Sequence, residues 1–216
     1  MSDKREFIKK GLVLAYKDEK EKGKSNVSSV REWLESYDFL TKEEYQTILD
    51  EMLLIDSVYG AYNLEVYMDG SCINNPFSTE LQKDRVIGAG GAFIIRDTEG
   101  KEVLNKSFKL PTIYSVDGET LSTNCHACEF QTLQILLQTL AYSSVNMKEI
   151  NLKVYTDSVN LYSQIEDNHH TKQPIHLQLK KEIMKYIYQL NNFELVKIPR
   201  RENQMADAMA KECAYL

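Results

Sequence analysis

From residue 63 onward the apolar residues change period in a fixed order, and that order limits the folds open to the chain. E-V-Y-M-D (65–69), G-A-G-G-A-F-I-I-R-D (88–97) and E-V-L-N-K-S-F-K-L (102–110) read as strands, with T-E-G-K as the hairpin turn between the last two. The glycines of the second suit close backbone approach. A helix beginning near Thr123 then carries Phe130, Leu133, Leu137 and Leu140 on one face. I-N-L-K-V-Y-T-D (150–157) is a fourth strand, followed by helical residues to about Glu166, and Pro174 starts a helix through Leu190. F-E-L-V-K-I-P (193–199) is a fifth strand, and the final helix has Asn203 as its N-cap. Three successive strands pair as hairpins, and two more join through helical crossovers. The expected class is therefore α/β: a mixed five-stranded sheet, three antiparallel strands plus two parallel, flanked by helices.

Residues 1–62 have a different texture and predict a small all-α N-terminal region. Phe7, Ile8, Leu12 and Ala15 fall at helical spacing, and Ser28 or Ser29 can cap S-S-V-R-E-W-L-E-S-Y. T-K-E-E (41–44) is a capping box that opens a helix with Tyr45, Ile48, Leu49, Met52 and Leu53 on its apolar face. About three short helices of this kind make a marginal fold alone, so they are expected to dock on residues 63–216, on a protein partner or on a second copy of the chain.

Bulk properties exclude some function classes and leave others open. No apolar run approaches membrane-spanning length, so no membrane association is expected. The start M-S-D-K-R-E-F-I-K-K-G-L lacks the apolar core of a secretory signal. Cys72, Cys125, Cys128 and Cys213 form no dense disulfide pattern, and a cytoplasmic, reducing location is expected. C-H-A-C (125–128) would need two further ligands to hold zinc, and no second pair has suitable spacing; Cys128 reads as a small apolar filler, His169 and His170 as solvent loop. The formal charge of −6 argues at first against nucleic acid. Residues 63–216, however, carry 16 Lys and Arg against 19 Asp and Glu, so four acids committed to cations would leave a slight positive balance. Lys180, Lys181 and Lys185 form either part of a DNA-phosphate channel or a solvated helix face.

Four acids stand at element boundaries. Asp69 closes the first strand with no Lys or Arg near in sequence; it either caps a Gly70-Ser71 turn or meets a cation the chain does not encode. Glu129 lies in the first turns of the central helix, Asp157 ends the fourth strand, and Asp207 lies one turn into the last helix. Each alone reads as a turn-former or as a helix N-terminal acid on the macrodipole. Together they are brought by the crossover topology to one edge of a sheet. Four carboxylates there cannot all stay ionised unaided, and an all-oxygen set suits Mg²⁺ or Mn²⁺.

V-Y-M-D-G-S, G-A-G-G-A-F-I-I-R-D-T-E-G, C-E-F-Q-T-L, V-Y-T-D-S and I-P-R-R-E-N-Q-M-A-D-A-M-A-K, in this order, resemble the motifs of type-1 ribonuclease H. The version is the compact one of plant-type and some prokaryotic members, and the resemblance covers about residues 63–214. It implies a ribonuclease H-like catalytic domain over 63–216, with 1–62 outside it. It also implies an endonuclease that hydrolyses the RNA strand of RNA–DNA hybrids, leaving 3′-hydroxyl and 5′-phosphate ends. Two Mg²⁺ ions, or Mn²⁺, would serve: one activates the attacking water, the other stabilises the leaving 3′-oxygen. By position, Asp69 would bridge both ions, Asp207 would help hold the hydroxide-generating ion, and Glu129 and Asp157 would hold the other. Contacts to substrate, 2′-hydroxyls included, are implied around Gly70, Ser71, Cys72, Asn124, His126, Ser158, Arg200, Arg201 and Asn203.

The chain departs from the family in places. The loop P-R-R-E-N has no histidine where many members keep one; Arg200 or Arg201 is either a phosphate ligand there or part of a solvent-exposed pair, and neither can shuttle a proton. Cys125 stands where the family has asparagine, with Asn124 one position further back. Only 50 positions separate Asp157 from Asp207, so the long basic, Trp-containing insertion of some bacterial members is absent. A proofreading-type exonuclease would need an acid at Ser71, and transposases and integrases run D…D…E rather than D…E…D…D. The alternative from another class is a catalytically idle nucleic-acid-binding or assembly protein on the same fold, acting through the N-terminal helices.

Overall fold

The computed structural model describes residues 63–74, 86–111, 124–142, 146–167 and 171–216, together with 11, 12, 15, 16, 34, 40–42, 44–46, 48–50 and 52. Strand β1 (Asn63–Asn74) alternates as its sequence demands, with Leu64, Val66 and Met68 buried on one face. It pairs antiparallel with β2 (Val86–Arg96), which pairs antiparallel with β3 (Glu102–Lys109). On the other side β1 pairs parallel with β4 (Asn151–Thr156), and β4 pairs parallel with β5 (Asn192–Lys197). The order β3-β2-β1-β4-β5 is the mixed five-stranded sheet the sequence predicts. In the hairpin between β2 and β3, Asp97 Oδ1 accepts from the backbone N–H of Glu99 and of Lys101, both at 2.9 Å, and Gly100 takes the positive φ of 77°.

Helix α1 (Cys125–Tyr142) lies across one face of the sheet, burying Phe130, Leu133, Leu136, Leu137 and Leu140 against Leu64, Val66, Met68, Phe93, Ile95, Leu152 and Val154. Ser158 caps α2 (Val159–Ile165) by accepting from Leu161 N at 3.1 Å. Helix α3 (Pro174–Ile187) packs on α1 through Ile175, Leu179 and Ile183. Helix α4 (Gln204–Tyr215) covers the opposite face over β1 and β2. Its buried Ala206, Ala210 and Ala214 come so close that a Cβ on Gly90 would run into the Ala210 carbonyl. No described helix is long and apolar enough to cross a membrane.

Boundaries shift for identifiable reasons. The expected turn at D-G-S is absent: Gly70, Ser71, Cys72 and Ile73 continue β1, paired with Gly91, Gly90, Ala89 and Gly88 of β2. Asp69 therefore lies within a strand, two residues beyond the last parallel pair, Tyr67 with Tyr155. Helix α3 stops before Leu190 because the backbone N–H of Asn191 turns to the carbonyl of Ile150 at 3.0 Å, feeding β5 in beside β4.

Near the N-terminus Leu12, Tyr16, Leu34, Ile48, Leu49 and Met52 form a second buried cluster. Tyr16, not Ala15, fills the buried place there. The capping box forms as read, with Thr41 N donating to Glu44 Oε2 at 2.9 Å and Glu44 N to Thr41 Oγ1 at 3.2 Å. Phe7, Ile8, Ser28, Ser29, His169 and His170 lie outside the described residues.

Candidate active site

Strands β1 and β4 run parallel and part company after Tyr67 and Tyr155, so Asp69 and Asp157 lie just past the end of that pairing, in the middle of the sheet, with Asp69 still paired to β2. Gly70 brings α1 to the same place: a Cβ there would overlap the backbone of Cys128 and Glu129. Glu129 is thus pressed toward Asp69 by a position only glycine fills. Asn203, at the start of α4, is 1% exposed and donates its Nδ2 to Met68 O at 2.9 Å and to Asp157 Oδ1 at 3.0 Å. It is the N-cap by position, yet its side chain makes no cap bond; it ties α4 to β1 and to Asp157. That tie sets Asp207 one turn along α4.

These placements put four carboxylates within each other's fields. Burial, then the charges of Asp157 and Asp207, pushes Asp69 up to about 7. Burial also pushes Glu129 up to about 8, with Asp69 and Asp157 adding to the rise, against the lowering effect of the Ser158 hydroxyl that donates to it. Asp207 moves the other way. Its burial would raise it, but the cations of Lys211 and Arg200 outweigh that and hold it below the ordinary carboxylate range. Lys211 Nζ donates to its Oδ2 at 2.5 Å and Arg200 to its Oδ1 at 2.8 Å.

Neutral at one corner and clamped at another, the oxygens do not close on a common point. Among the described residues, no group of three or more His, Cys, Asp and Glu side chains is arranged to hold a metal ion. The donor chemistry nevertheless fits one. The four side chains offer hard oxygens only, and burial beside other carboxylates pushes Asp69 up to about 7 and Glu129 up to about 8, a rise that a bound cation would oppose.

The expected substrate positions divide. Gly70 is buried, and its role is the close approach to α1. Ser71 is half-buried in β1. Ser158 is buried and spends its hydroxyl on Glu129 and on the α2 cap. Asn124 caps α1, its Oδ1 accepting from Ala127 N at 2.8 Å, while its Nδ2 donates to Gln173 Oε1 at 3.3 Å. His126 is exposed, with Nδ1 3.6 Å from Glu129 Oε2. Of the arginine pair, Arg200 reaches the carboxylates, whereas Arg201 faces Glu202 at 3.6 Å in solvent. Lys180 donates to the Gln164 carbonyl and Lys185 pairs with Glu182.

Three features were missed in the sequence. Lys211 pairs with Asp207 at a spacing of four along α4, the spacing that brings opposite charges together on one helix face. His176, buried and stacked on Phe130 with ring centroids 5.2 Å apart, lies 3.5 Å from Asn124 Oδ1 and carries no local mark. Cys72 and Cys125 are joined by a disulfide, 53 positions apart, a pairing that only the contact of β1 with α1 reveals.

The sheet order, the crossovers and the carboxylate cluster define a ribonuclease H-like α/β protein. A family model described as reverse transcriptase-like matches residues 129–213. The RNase H1 of the halophilic archaeon Halobacterium salinarum superposes with a TM-score of 0.54 at 16% identity, over 70% of this chain and 96% of that one. LC11-RNase H1, isolated from compost by a metagenomic approach, gives 0.56 at 21% identity, over 71% of this chain and 96% of that one. The same enzyme in complex with an RNA/DNA hybrid gives 0.56 at 20% identity, over 70% and 96%. A comparison with curated proteins finds no match. The structural likeness establishes the fold, a ribonuclease H-like one, over about 70% of the chain.

Proposed function

We propose that the chain is an endonuclease that hydrolyses the RNA strand of RNA–DNA hybrids with divalent cations, leaving 3′-hydroxyl and 5′-phosphate ends. The observation that carries this reading is the crowding of Asp69, Glu129, Asp157 and Asp207, from four separate elements, into one field. Bound there, Mg²⁺ or Mn²⁺ would supply charge neutralisation and activation of water. Asp69 and Glu129, shielded from solvent, are the groups whose ionisation such a cation would restore. Asn203 and Ser158 orient Asp157 and Glu129 from behind. Arg200 is exposed beside Asp207 and is the group best placed to meet a phosphate of the cleaved strand.

One observation favours the idle, binding-only reading. The clamp of Arg200 and Lys211 on Asp207 leaves the four carboxylates short of a closed cage among the described residues. A single assay separates the two: wild type and Asp69→Asn incubated with an RNA–DNA duplex in Mg²⁺ and in Mn²⁺. The enzyme reading expects RNA-strand cleavage by wild type and a loss of more than about a hundredfold in the variant. RNA left intact by wild type in both metals sinks it. Residues 1–62 are read as a separate helical region that contacts a protein partner or a second copy, supported by the buried cluster around Tyr16, Leu34 and Met52.

A further inference from the structure

We propose that Cys72 and Cys125 form a reversible redox site that sets how tightly the chain holds a nucleic-acid hybrid; the inference rests on the reading of the carboxylate site as a hybrid-binding surface. Cys72 follows Asp69 by three positions in β1, and Cys125 opens α1 four positions before Glu129. Their disulfide brings the two Cα atoms to 5.2 Å. The bond therefore spans the two segments that carry the carboxylates, on the rim beyond the Gly70 contact that seats β1 against the backbone of Cys128 and Glu129.

The immediate neighbours of the pair give it leverage on binding. Ser71 precedes Cys72, and Asn124 precedes Cys125; the resemblance to type-1 ribonuclease H implies substrate contact at both positions. With the bond closed, the two are held at a fixed separation before substrate arrives, and the ordering cost of binding is reduced. With it open, each segment keeps its own support. Ser71 stays paired with Gly90 of β2, and Asn124 stays hydrogen-bonded to Gln173. The separation between them is then set by the Gly70 seat without the covalent link at the rim, so the expected effect falls on affinity rather than on the fold.

Access also favours exchange at this pair. Cys125 is exposed and Cys72 half-buried, whereas Cys128 and Cys213 are buried, so a small thiol in solution meets Cys125 first. In the reduction, a thiolate of a low-molecular-weight dithiol bonds to the Cys125 sulfur and breaks the bond to Cys72, which leaves as thiolate and takes up a proton. The second thiol of the reagent then displaces Cys125. The protein gains two electrons and two protons, and the reagent departs as its cyclic disulfide.

The test compares the full chain purified without reductant with the same chain treated with dithiothreitol. Intact mass should show the untreated form lighter by the two hydrogens of the pair. Fluorescence anisotropy with a labelled RNA–DNA duplex, without divalent cations, should give a Kd weakened by between about twofold and tenfold on reduction and restored on reoxidation. Cys125→Ser should bind like the reduced form and ignore the reagent. Equal Kd in the two states, or no mass difference, overturns the proposal. So does a reduced chain without its circular dichroism signal, which would make the bond a structural staple. Cleavage in Mg²⁺ that persists alongside equal affinities sinks the redox site alone, whereas absent cleavage with a redox-dependent Kd sinks the hydrolase reading alone.

Discussion

At the scale of single residues, the candidate site is governed by which polar group each carboxylate has been given. Glu129 has one hydroxyl, Asp157 one amide and Asp207 two cations, while Asp69 lies buried beside two other negative charges. Ser158 is the most economical of these partners because its Oγ serves twice, donating to Glu129 and accepting from Leu161 N to cap α2. Ser158→Ala removes both functions in a buried place. It should cost about 1–2 kcal/mol in denaturant unfolding, and it should raise the Glu129 titration further, since the lost donor favoured its charged form. Ser158→Thr keeps a hydroxyl and should lose much less. Equal stability of wild type and Ser158→Ala would mean that neither bond contributes.

At the scale of elements, the joint between β1 and α1 decides whether Asp69 and Glu129 meet. Gly70→Ala places a methyl group on the Cys128–Glu129 backbone and should destabilise by about 1–3 kcal/mol through overpacking. Because the strain falls between two proposed site residues, cleavage should drop out of proportion to stability. Gly100→Ala is the contrasting case: it meets nothing within 4 Å, and its cost of about 1 kcal/mol comes from the positive φ alone, with cleavage unchanged. Comparable activity losses in the two variants would refute the role assigned to the joint. Element order and strand pairing were legible because the apolar period of each segment is a local property. The joint was not. G-S-C after Asp69 reads as a turn on composition, and only the pairing of Gly70 and Ser71 with β2 glycines keeps it extended. Likewise Asn203 carried an N-cap signal whose side chain is claimed instead by Met68 and Asp157, partners distant in sequence.

At the scale of the whole molecule, the crowded site makes stability depend on pH in a direction opposite to the usual acid denaturation. Asp69 and Glu129 titrate near 7 and 8 in the folded chain, against ordinary values of 3.8 and 4.5. Between those limits the folded state binds more protons than the unfolded one, so stability is lost as pH rises through the folded values. His176 works the other way, because burial holds it below its ordinary 6.5, and it adds stability as pH rises toward that figure. Asp207, held low, contributes stability that disappears only in acid. Above about pH 6.5 the two raised carboxylates are therefore the terms still changing. From about pH 6.5 to about 8.5, without divalent ions, unfolding free energy should fall by about 2–3 kcal/mol, or roughly 5–10 °C in Tm. Millimolar Mg²⁺ or Mn²⁺ should recover most of that loss at the alkaline end and little at the acid end, because a cation binds the ionised form and must displace protons from the neutral one. A Tm that stays level or rises across this window would show that the carboxylates are not crowded in solution. A metal-induced gain equal at both ends would show that any bound ion sits away from Asp69 and Glu129.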